Sequence, residues 1–511
     1  MTASSTRSTP QRLRPLDRRV PNTVLHMTGV ALLFAGVGMF VCLLVELMVA
    51  GDEELALLVS GIVTCSAGFA IWRTTRVGEV KPTTIFYAVA VTWITLSLAG
   101  TLPYLLSGTI TRFDDALFES ISGFTCTGST ILTFIEGNSR GVLFWRQMTQ
   151  WFGGMGVIVL AVAVLPFLSV GGLDLIRAEA PGPDADRLAP RIRGTASRLW
   201  LLYVGFTFVS FLALWLAGAT PYDSASHALT IVSTGGLSSF DDSVAGFDSQ
   251  LIEIIIIVLM IYGAMNFALH WRALQGDVGV YWRSSEVRWF FGMMLAGCVL
   301  VVGILVGDGT AFGDAARGGI FTVVSLLTST GYGNGEVGNF VLWAVAAQFV
   351  LLGAMVVGGM SGSTAGGMKV IRFAALSGVI GREIKRGIRP RAVFSVRFDG
   401  VGMSESVVAR MLAFAALYVL LIIAGTVVVV GLGSTFDTAL GGAAGAMGNM
   451  GPSFGEAGPS ANFTDGFSRP ARMVLAWLML VGRLEILPML LIFAPLHQRA
   501  HRARRIVMSG R

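Results

Sequence analysis

Long apolar runs, interrupted at short intervals by polar turns, set the pattern of this chain. Ten of them read as membrane spans, at roughly 24–50, 54–72, 84–106, 141–170, 199–218, 250–270, 287–306, 340–375, 409–432 and 472–495, each long enough for a hydrocarbon core of ~30 Å. Four shorter amphipathic stretches, roughly 113–126, 222–233, 313–328 and 436–448, fall between spans 3 and 4, 5 and 6, 7 and 8, and 9 and 10. As helices rising ~1.5 Å per residue they reach only about 20 Å, so they are expected to enter and return on one side. The first span is too long for a signal h-region and is expected to stay as an anchor.

Each short stretch opens on an aromatic residue and an aspartate: Phe113-Asp114, Tyr222-Asp223, Phe312-Gly313-Asp314 and Phe436-Asp437. The aspartates suit helix N-caps, where a carboxylate accepts from orphan backbone N–H groups. Each stretch closes in a tight turn ending in glycine. The turns are Thr125-Cys126-Thr127-Gly128, Val232-Ser233-Thr234-Gly235, Thr328-Ser329-Thr330-Gly331 and Gly448-Asn449-Met450-Gly451. A helix entering the membrane this way points its partially negative end at the centre, which favours a cation there. Glycine permits positive φ and lets neighbouring carbonyls face one axis. One such turn is an ordinary outer loop. Four in matching places, recurring about every hundred residues, read as a ring of carbonyls around a pore. The fourth turn departs from the others, with Asn449 and Met450 and no threonine.

Composition narrows the class. The chain is 54% hydrophobic and 13% charged, against about a quarter charged in soluble domains, so an all-α polytopic membrane protein is expected. Cys42, Cys65, Cys126 and Cys298 form no C-x-x-C pair, and neither a disulfide framework nor a metal centre is supported. No Walker A, zinc spacing, nucleophile elbow or dinucleotide fingerprint occurs, which argues against an enzyme. Basic residues gather on one side: Arg7 to Arg19, Arg73 to Lys81, Arg177 to Arg198, Arg272 to Arg288, Arg382 to Arg397, and Arg499 to Arg511. The positive-inside rule makes that side, with both termini, cytoplasmic. Acidic residues such as Asp114, Asp223, Asp314 and Asp437 mark an outer vestibule that concentrates cations. The inner basic loops suit anionic lipid or a soluble partner; they are too short to suggest nucleic acid.

Two segments break the apolar pattern. Between Val357 and Met368, Gly358, Gly359, Ser361, Gly362, Ser363, Thr364, Gly366 and Gly367 cannot hold a continuous helix, given a cost of ~1 kcal/mol per glycine. Irregular backbone at membrane depth survives where protein or a watery cavity surrounds it, so a loop just below the turns is expected. The alternative is close helix packing through small residues, for example Gly358 with Gly362. Arg483 sits inside an apolar run and should face a cavity or a partner, the simplest partner being Glu485. Lys369 and Arg372 read as the cytoplasmic end of span 8.

Repeated span-turn-span units with one filter glycine each resemble the Trk/Ktr/HKT superfamily of potassium transporters. The resemblance covers roughly residues 84–495 and extends to Trp145-Arg146-Gln147, Gln150-Trp151-Phe152-Gly153-Gly154-Met155-Gly156, Asn266-Phe267-Ala268-Leu269-His270, the stretch from Gly358 to Lys369, and Gly482-Arg483-Leu484-Glu485-Ile486. Two additional N-terminal spans make the chain similar to the bacterial TrkH branch rather than the shorter KtrB branch. The implied organisation is a basic N-terminus (1–23), a two-helix unit (24–82), pore repeats at 83–198, 199–286, 287–397 and 398–495, and a basic C-terminus (496–511). The resemblance implies K⁺ uptake, with Rb⁺ accepted, across the bacterial inner membrane. The filter would be formed by Cys126, Thr127, Gly128, Ser233, Thr234, Gly235, Ser329, Thr330, Gly331, Asn449, Met450 and Gly451. The glycine-rich stretch would be an intramembrane gate, with Arg483 beside the pore. The resemblance also implies a homodimer with one pore per protomer. Its partner would be a cytosolic ring of TrkA type that binds ATP/ADP or NAD, with no cofactor on this chain. Two rivals stand beside this reading. A Na⁺- or H⁺-coupled K⁺ symporter working by alternating access would draw on Arg483, Glu485, Glu253 and Glu119. A non-conducting sensor would lack ion flux.

Overall fold

The computed structural model describes residues 19–78, 82–168, 185–392, 394–459, 462–486 and 489. Arg7 to Arg18, residues 171–184 and the basic C-terminus lie outside the described residues. The described chain is almost wholly helical, with only two-residue strand pairs at Val20–Pro21 with Thr75–Arg76 and at Arg397–Phe398 with Val401–Gly402. The helices used below are α1 (Thr23–Met48), α2 (Glu54–Thr74), α3 (Pro82–Ala99), α4 (Phe113–Phe124), α5 (Arg140–Leu168), α6 (Ala185–Leu216), α7 (Pro221–Val232) and α8 (Gln250–Ala264). They continue with α9 (Phe267–Leu274), α10 (Ser285–Gly307), α11 (Phe312–Leu327), α12 (Val345–Val357), α13 (Val370–Ile388), α14 (Glu405–Gly431), α15 (Phe436–Gly448) and α16 (Arg469–Arg483).

Among the described residues six helices are long and apolar enough to cross a membrane: Thr23–Met48, Glu54–Thr74, Thr84–Leu106, Thr195–Leu216, Ser285–Gly307 and Glu405–Gly431. Large side chains on their outer faces, such as Phe34, Leu295 and Leu420, are exposed, as lipid-facing positions require. Their inner contacts use small residues. A Cβ on Gly36 of α1 would stand 2.4 Å from Cys65 Sγ of α2, so glycine sets the approach of these two helices. Glu46, fully buried at the end of α1, accepts from Ser139 Oγ and Gly141 N at 2.7 Å each, placing a carboxylate on the orphan N–H groups that open α5.

Among the described residues two of the ten expected spans are interrupted, span 6 against expectation and span 8 at the glycine-rich stretch where a loop is expected. Span 6 bends by 100° between α8 and α9, where Asn266 leaves the helix and its side chain caps α9 by accepting from Ala268 N at 2.8 Å. Span 8 breaks after Val357, because Gly358 turns to a φ of 72° and the chain regains a helix only at Val370. Span 10 ends as a described helix at Arg483, followed by Glu485 and Ile486 with φ of 57° and 64°. The rest of that run, save residue 489, lies outside the described residues.

The four short amphipathic stretches are helices α4, α7, α11 and α15, of 12, 12, 16 and 13 residues. Their aspartates do not occupy the N-cap. Arg112, Thr220, Ala311 and Thr435 stand there, and Asp114, Asp223, Asp314 and Asp437 fall in the first turn. A carboxylate one turn inside still faces the positive end of the helix dipole. Arg112 bonded to Asp114 holds that carboxyl below its ordinary range, as the Thr435 hydroxyl does for Asp437, so both carry charge at neutral pH.

Candidate functional site

The four short helices end alike. Beyond each, one residue takes a left-handed φ: Cys126 at 54°, Thr234 at 52°, Ser329 at 53° and Asn449 at 52°. The following N–H then reaches back five residues, in Thr127 to Ser122, Gly235 to Thr230, Thr330 to Ser325 and Met450 to Gly445, at 2.8–3.0 Å. This is a Schellman-type closure that consumes the last helical carbonyls. It fixes a register, and there the second turn departs from the sequence reading. Thr234 corresponds to Cys126, so Gly235 corresponds to Thr127, and the glycine matching Gly128 (φ 85°) and Gly331 (φ 80°) is Gly236 (φ 77°). Ser233 is then the partner of Thr125, with its hydroxyl donating to Leu229 O at 2.8 Å as Thr125 donates to Ile121 O at 2.7 Å. The turn is Ser233-Thr234-Gly235-Gly236, one residue later than expected, because the helix runs through Val232.

The turns meet in cyclic order. A Cβ on Gly128 would stand 2.2 Å from Gly235 O, and one on Gly236 would stand 2.0 Å from Thr330 O. A Cβ on Gly331 would meet Gly451 N at 3.0 Å, and one on Gly451 would meet Gly128 O at 3.1 Å. Each glycine thus faces the backbone of the next turn, and the fourth faces the first. Gly451 N donates to Thr127 O and Ser129 Oγ donates to Gly451 O at 3.0 Å, closing the cycle. The turns are braced unequally. Hydroxyl pairs tie Thr125 to Thr127 at 2.7 Å and Thr328 to Thr330 at 2.9 Å within turns one and three. The other two lack that pair, and in the fourth Asn449 Nδ2 reaches Thr127 Oγ1 at 3.1 Å and Met479 O at 2.8 Å. Tyr332, just past the third turn, is buried and bonds Thr230 of α7.

The glycine-rich segment is a loop, as the first of the two alternatives expected, and it lies against the inner ends of these turns. Thr364 Oγ1 donates to Val232 O at 2.9 Å and to Gly263 O at 3.1 Å. Gly366 N donates to Ser329 Oγ at 2.5 Å, and a Cβ on Gly366 would stand 2.0 Å from Gly448 O. The bend between α8 and α9 receives the loop: Met360 N donates to Ala264 O at 2.9 Å and Phe267 N to Gly362 O at 3.1 Å. Ser361 N donates to the buried Glu286 at 2.6 Å. The loop closes on its own entrance, with Lys369 N donating to Val357 O at 2.9 Å.

Arg483 does not pair with Glu485. Its guanidinium donates to Thr364 O at 2.7 Å and to Cys126 Sγ at 2.9 Å, joining the loop to the first turn. Glu485 pairs instead with Arg372 at 2.6 Å. Lys369 and Arg372, expected to mark the cytoplasmic end of span 8, are both buried; Lys369 bonds Ala365 O and Arg372 stacks on Phe414 at 3.8 Å. The positive φ of 77° at Lys369 turns both side chains back under the loop. Sequence reading also missed Gly236, Gln150 and Asn266 as parts of the site. The doubled glycine after a β-branched helix end was the available signal for Gly236.

Behind the first turn, Arg146 of α5 and Glu119 of α4, both without exposed side-chain surface, form an ion pair at 2.8 Å. Thr130 Oγ1 and Ile131 N donate to the same carboxylate at 3.0 Å each. Glu119→Ala leaves the guanidinium buried and unpaired, and a loss of about 3–5 kcal/mol is expected, read as a lower unfolding temperature in detergent. An unchanged temperature would show that the pair adds nothing to the fold.

These features define a mostly helical, polytopic membrane protein that gathers four glycine turns and an irregular loop. A family model described as TrkH, cation transport protein, matches residues 56–503, and the chain belongs to that family. The Trk system potassium uptake protein TrkH of Escherichia coli K12 is 36% identical over 444 residues, covering 85% of this chain and 90% of that protein. The protein of the same name from Vibrio parahaemolyticus is 35% identical over 488 residues, covering 94% and 99%. The crystal structure of the potassium transporter TrkH from Vibrio parahaemolyticus matches with a TM-score of 0.83 at 33% identity, over 92% of this chain and 98% of that one. The family is one of transport proteins and not of enzymes.

Proposed function

We propose that this chain carries K⁺ into a bacterial cell across the inner membrane, through a selectivity filter formed by the backbone of its four turns. The observation that supports this most is the cyclic contact of Gly128, Gly236, Gly331 and Gly451 with one another's backbones. Four backbone turns closed on themselves, at the partially negative ends of four helices, suit a dehydrated monovalent cation. Residues at the ligand positions are Cys126, Thr127 and Gly128; Thr234, Gly235 and Gly236; Ser329, Thr330 and Gly331; and Asn449, Met450 and Gly451. The loop from Gly358 to Gly367 is the gate, closed while Arg483 and Ser329 hold Thr364 and Gly366. Both termini face the cytoplasm, the protein is a homodimer, and a TrkA-like subunit that binds ATP/ADP or NAD acts on the gate from the basic inner side. Coupled carriage by alternating access has less support, because Glu119, Glu253 and Glu485 are each paired to an arginine (Arg146, Arg317 and Arg372).

Radioactive Rb⁺ uptake into liposomes holding the purified protein tests the proposal. Uptake suppressed by K⁺ and not by Na⁺ is expected. Uptake that Na⁺ suppresses equally would remove the selective filter from the reading. Absence of uptake, both alone and with a TrkA-like subunit and nucleotide, would remove the pore.

A further inference from the structure

Helix α5 grips the second turn from behind with side chains one helical turn apart. Gln150 Nε2 donates to Gly235 O at 2.7 Å, and Gln150 Oε1 accepts from Leu237 N at 3.2 Å. Arg146 Nη1 donates to Ser238 O at 3.4 Å. Both side chains belong to residues with no exposed surface. The same Arg146 donates to Thr130 Oγ1 at 3.1 Å and pairs with Glu119, which holds Ile131 N. Thr130 and Ser238 stand at the same place in their turns, each two residues past its ring glycine. One face of α5 therefore fixes the exits of turns one and two together. The third turn has a different support: Ser325 Oγ of its own helix donates to Tyr332 O at 2.8 Å, and Gly333 N donates to Ser243 Oγ at 3.2 Å.

The carboxamide of Gln150 does two things at once. It sets where the Gly235 carbonyl stands, and it occupies that oxygen with an amide hydrogen. A carbonyl already accepting such a bond is a weaker cation ligand than a free one; Gly235 O accepts from a side chain, whereas its counterpart Thr127 O accepts from the Gly451 backbone, so the turns offer unequal oxygens. We propose that Gln150, backed by Arg146 and Glu119, is a positioning residue that sets cation discrimination by fixing the Gly235 carbonyl and the spacing of the first two turns. This inference rests on the filter reading above and adds a residue outside the turns to it.

The test compares the reconstituted full-length protein with Gln150→Leu, using K⁺ and Na⁺ as competitors of Rb⁺ uptake. The K⁺-over-Na⁺ ratio, read on whatever flux each protein carries, should fall about tenfold in Gln150→Leu, the size of one well-placed hydrogen bond. A residue that only supports the fold would lower stability and leave this ratio alone. If the unsubstituted protein discriminates and the variant discriminates equally, the inference fails while the filter reading stands. If the unsubstituted protein does not discriminate, the filter reading fails and takes this one with it. Should Gln150→Leu carry no flux, the shift of its unfolding temperature by K⁺ relative to Na⁺ in detergent replaces the ratio. Loss of the K⁺ preference is expected, and retention of the full preference overturns the role. In its ionised form Gln150→Glu keeps the acceptor for Leu237 and loses the donor to Gly235, so its ratio should fall as pH rises; a ratio undiminished at high pH would exclude the donated bond as the cause.

Discussion

Gly236→Ala is expected to reduce Rb⁺ uptake at least about hundredfold, the scale of effect that misplacement by about 1 Å has on a pre-organised site. The added methyl meets two obstacles. The φ of 77° puts an L-residue in the left-handed region, and the new Cβ would lie 2.0 Å from Thr330 O, a backbone atom that cannot swing aside. The second or third turn must shift, and with it the ring. Gly235→Ala meets mainly the Gln150 carboxamide, at 2.3–2.7 Å, which is a side chain and can yield. Gly235→Ala should therefore retain more uptake than Gly236→Ala. Comparison of the two variants at equal amounts in the membrane decides the register. If Gly235→Ala is the more severe, the sequence-based register was right and the geometric one wrong.

The second large effect is expected in the opposite direction. Arg483→Ala removes the bonds to Thr364 O and Cys126 Sγ while leaving Arg372 paired with Glu485. A hydrogen bond from a charged donor contributes about 1.5–3 kcal/mol, which is roughly tenfold to hundredfold in the balance between a closed and an open loop. K⁺ flux without any partner subunit should rise by about that factor. The remaining ties, Thr364 to Val232 O and Gly366 to Ser329, keep the loop from being wholly free. Flux that falls, or stays level with normal protein yield, would mean that Arg483 does not hold the gate shut.

Much of the fold was legible in the apolar periodicity, because lipid demands long uninterrupted spans and tolerates short helices only where protein surrounds them. The helices α4, α7, α11 and α15 and their glycine turns were found for that reason. The second register was missed because Gly235-Gly236 offers two candidate glycines. The choice between them depends on Val232 completing the helix, a matter of one residue at a helix end. Asn266 stood out only through the family motif that it opens, since a lone asparagine marks a break only when its side chain caps a second helix. The partners of Arg483 and Glu485 were out of reach because two residues on either side of a helix end point to different neighbours. Glu485, at a φ of 57°, is turned toward Arg372, 113 positions back in the chain.

The fourth turn, with Asn449 and Met450 where the first and third have serine or cysteine and threonine, carries one last consequence. In a channel assembled from four identical subunits, any substitution enters the ring in four copies. In a single chain it enters once, and the three other turns stay as they were. Variation can then be tried one quadrant at a time, each step graded rather than all-or-none. Asn449, which makes up for the missing threonine by bonding across to Thr127, has the form of such a step: a local loss offset by a neighbour's side chain.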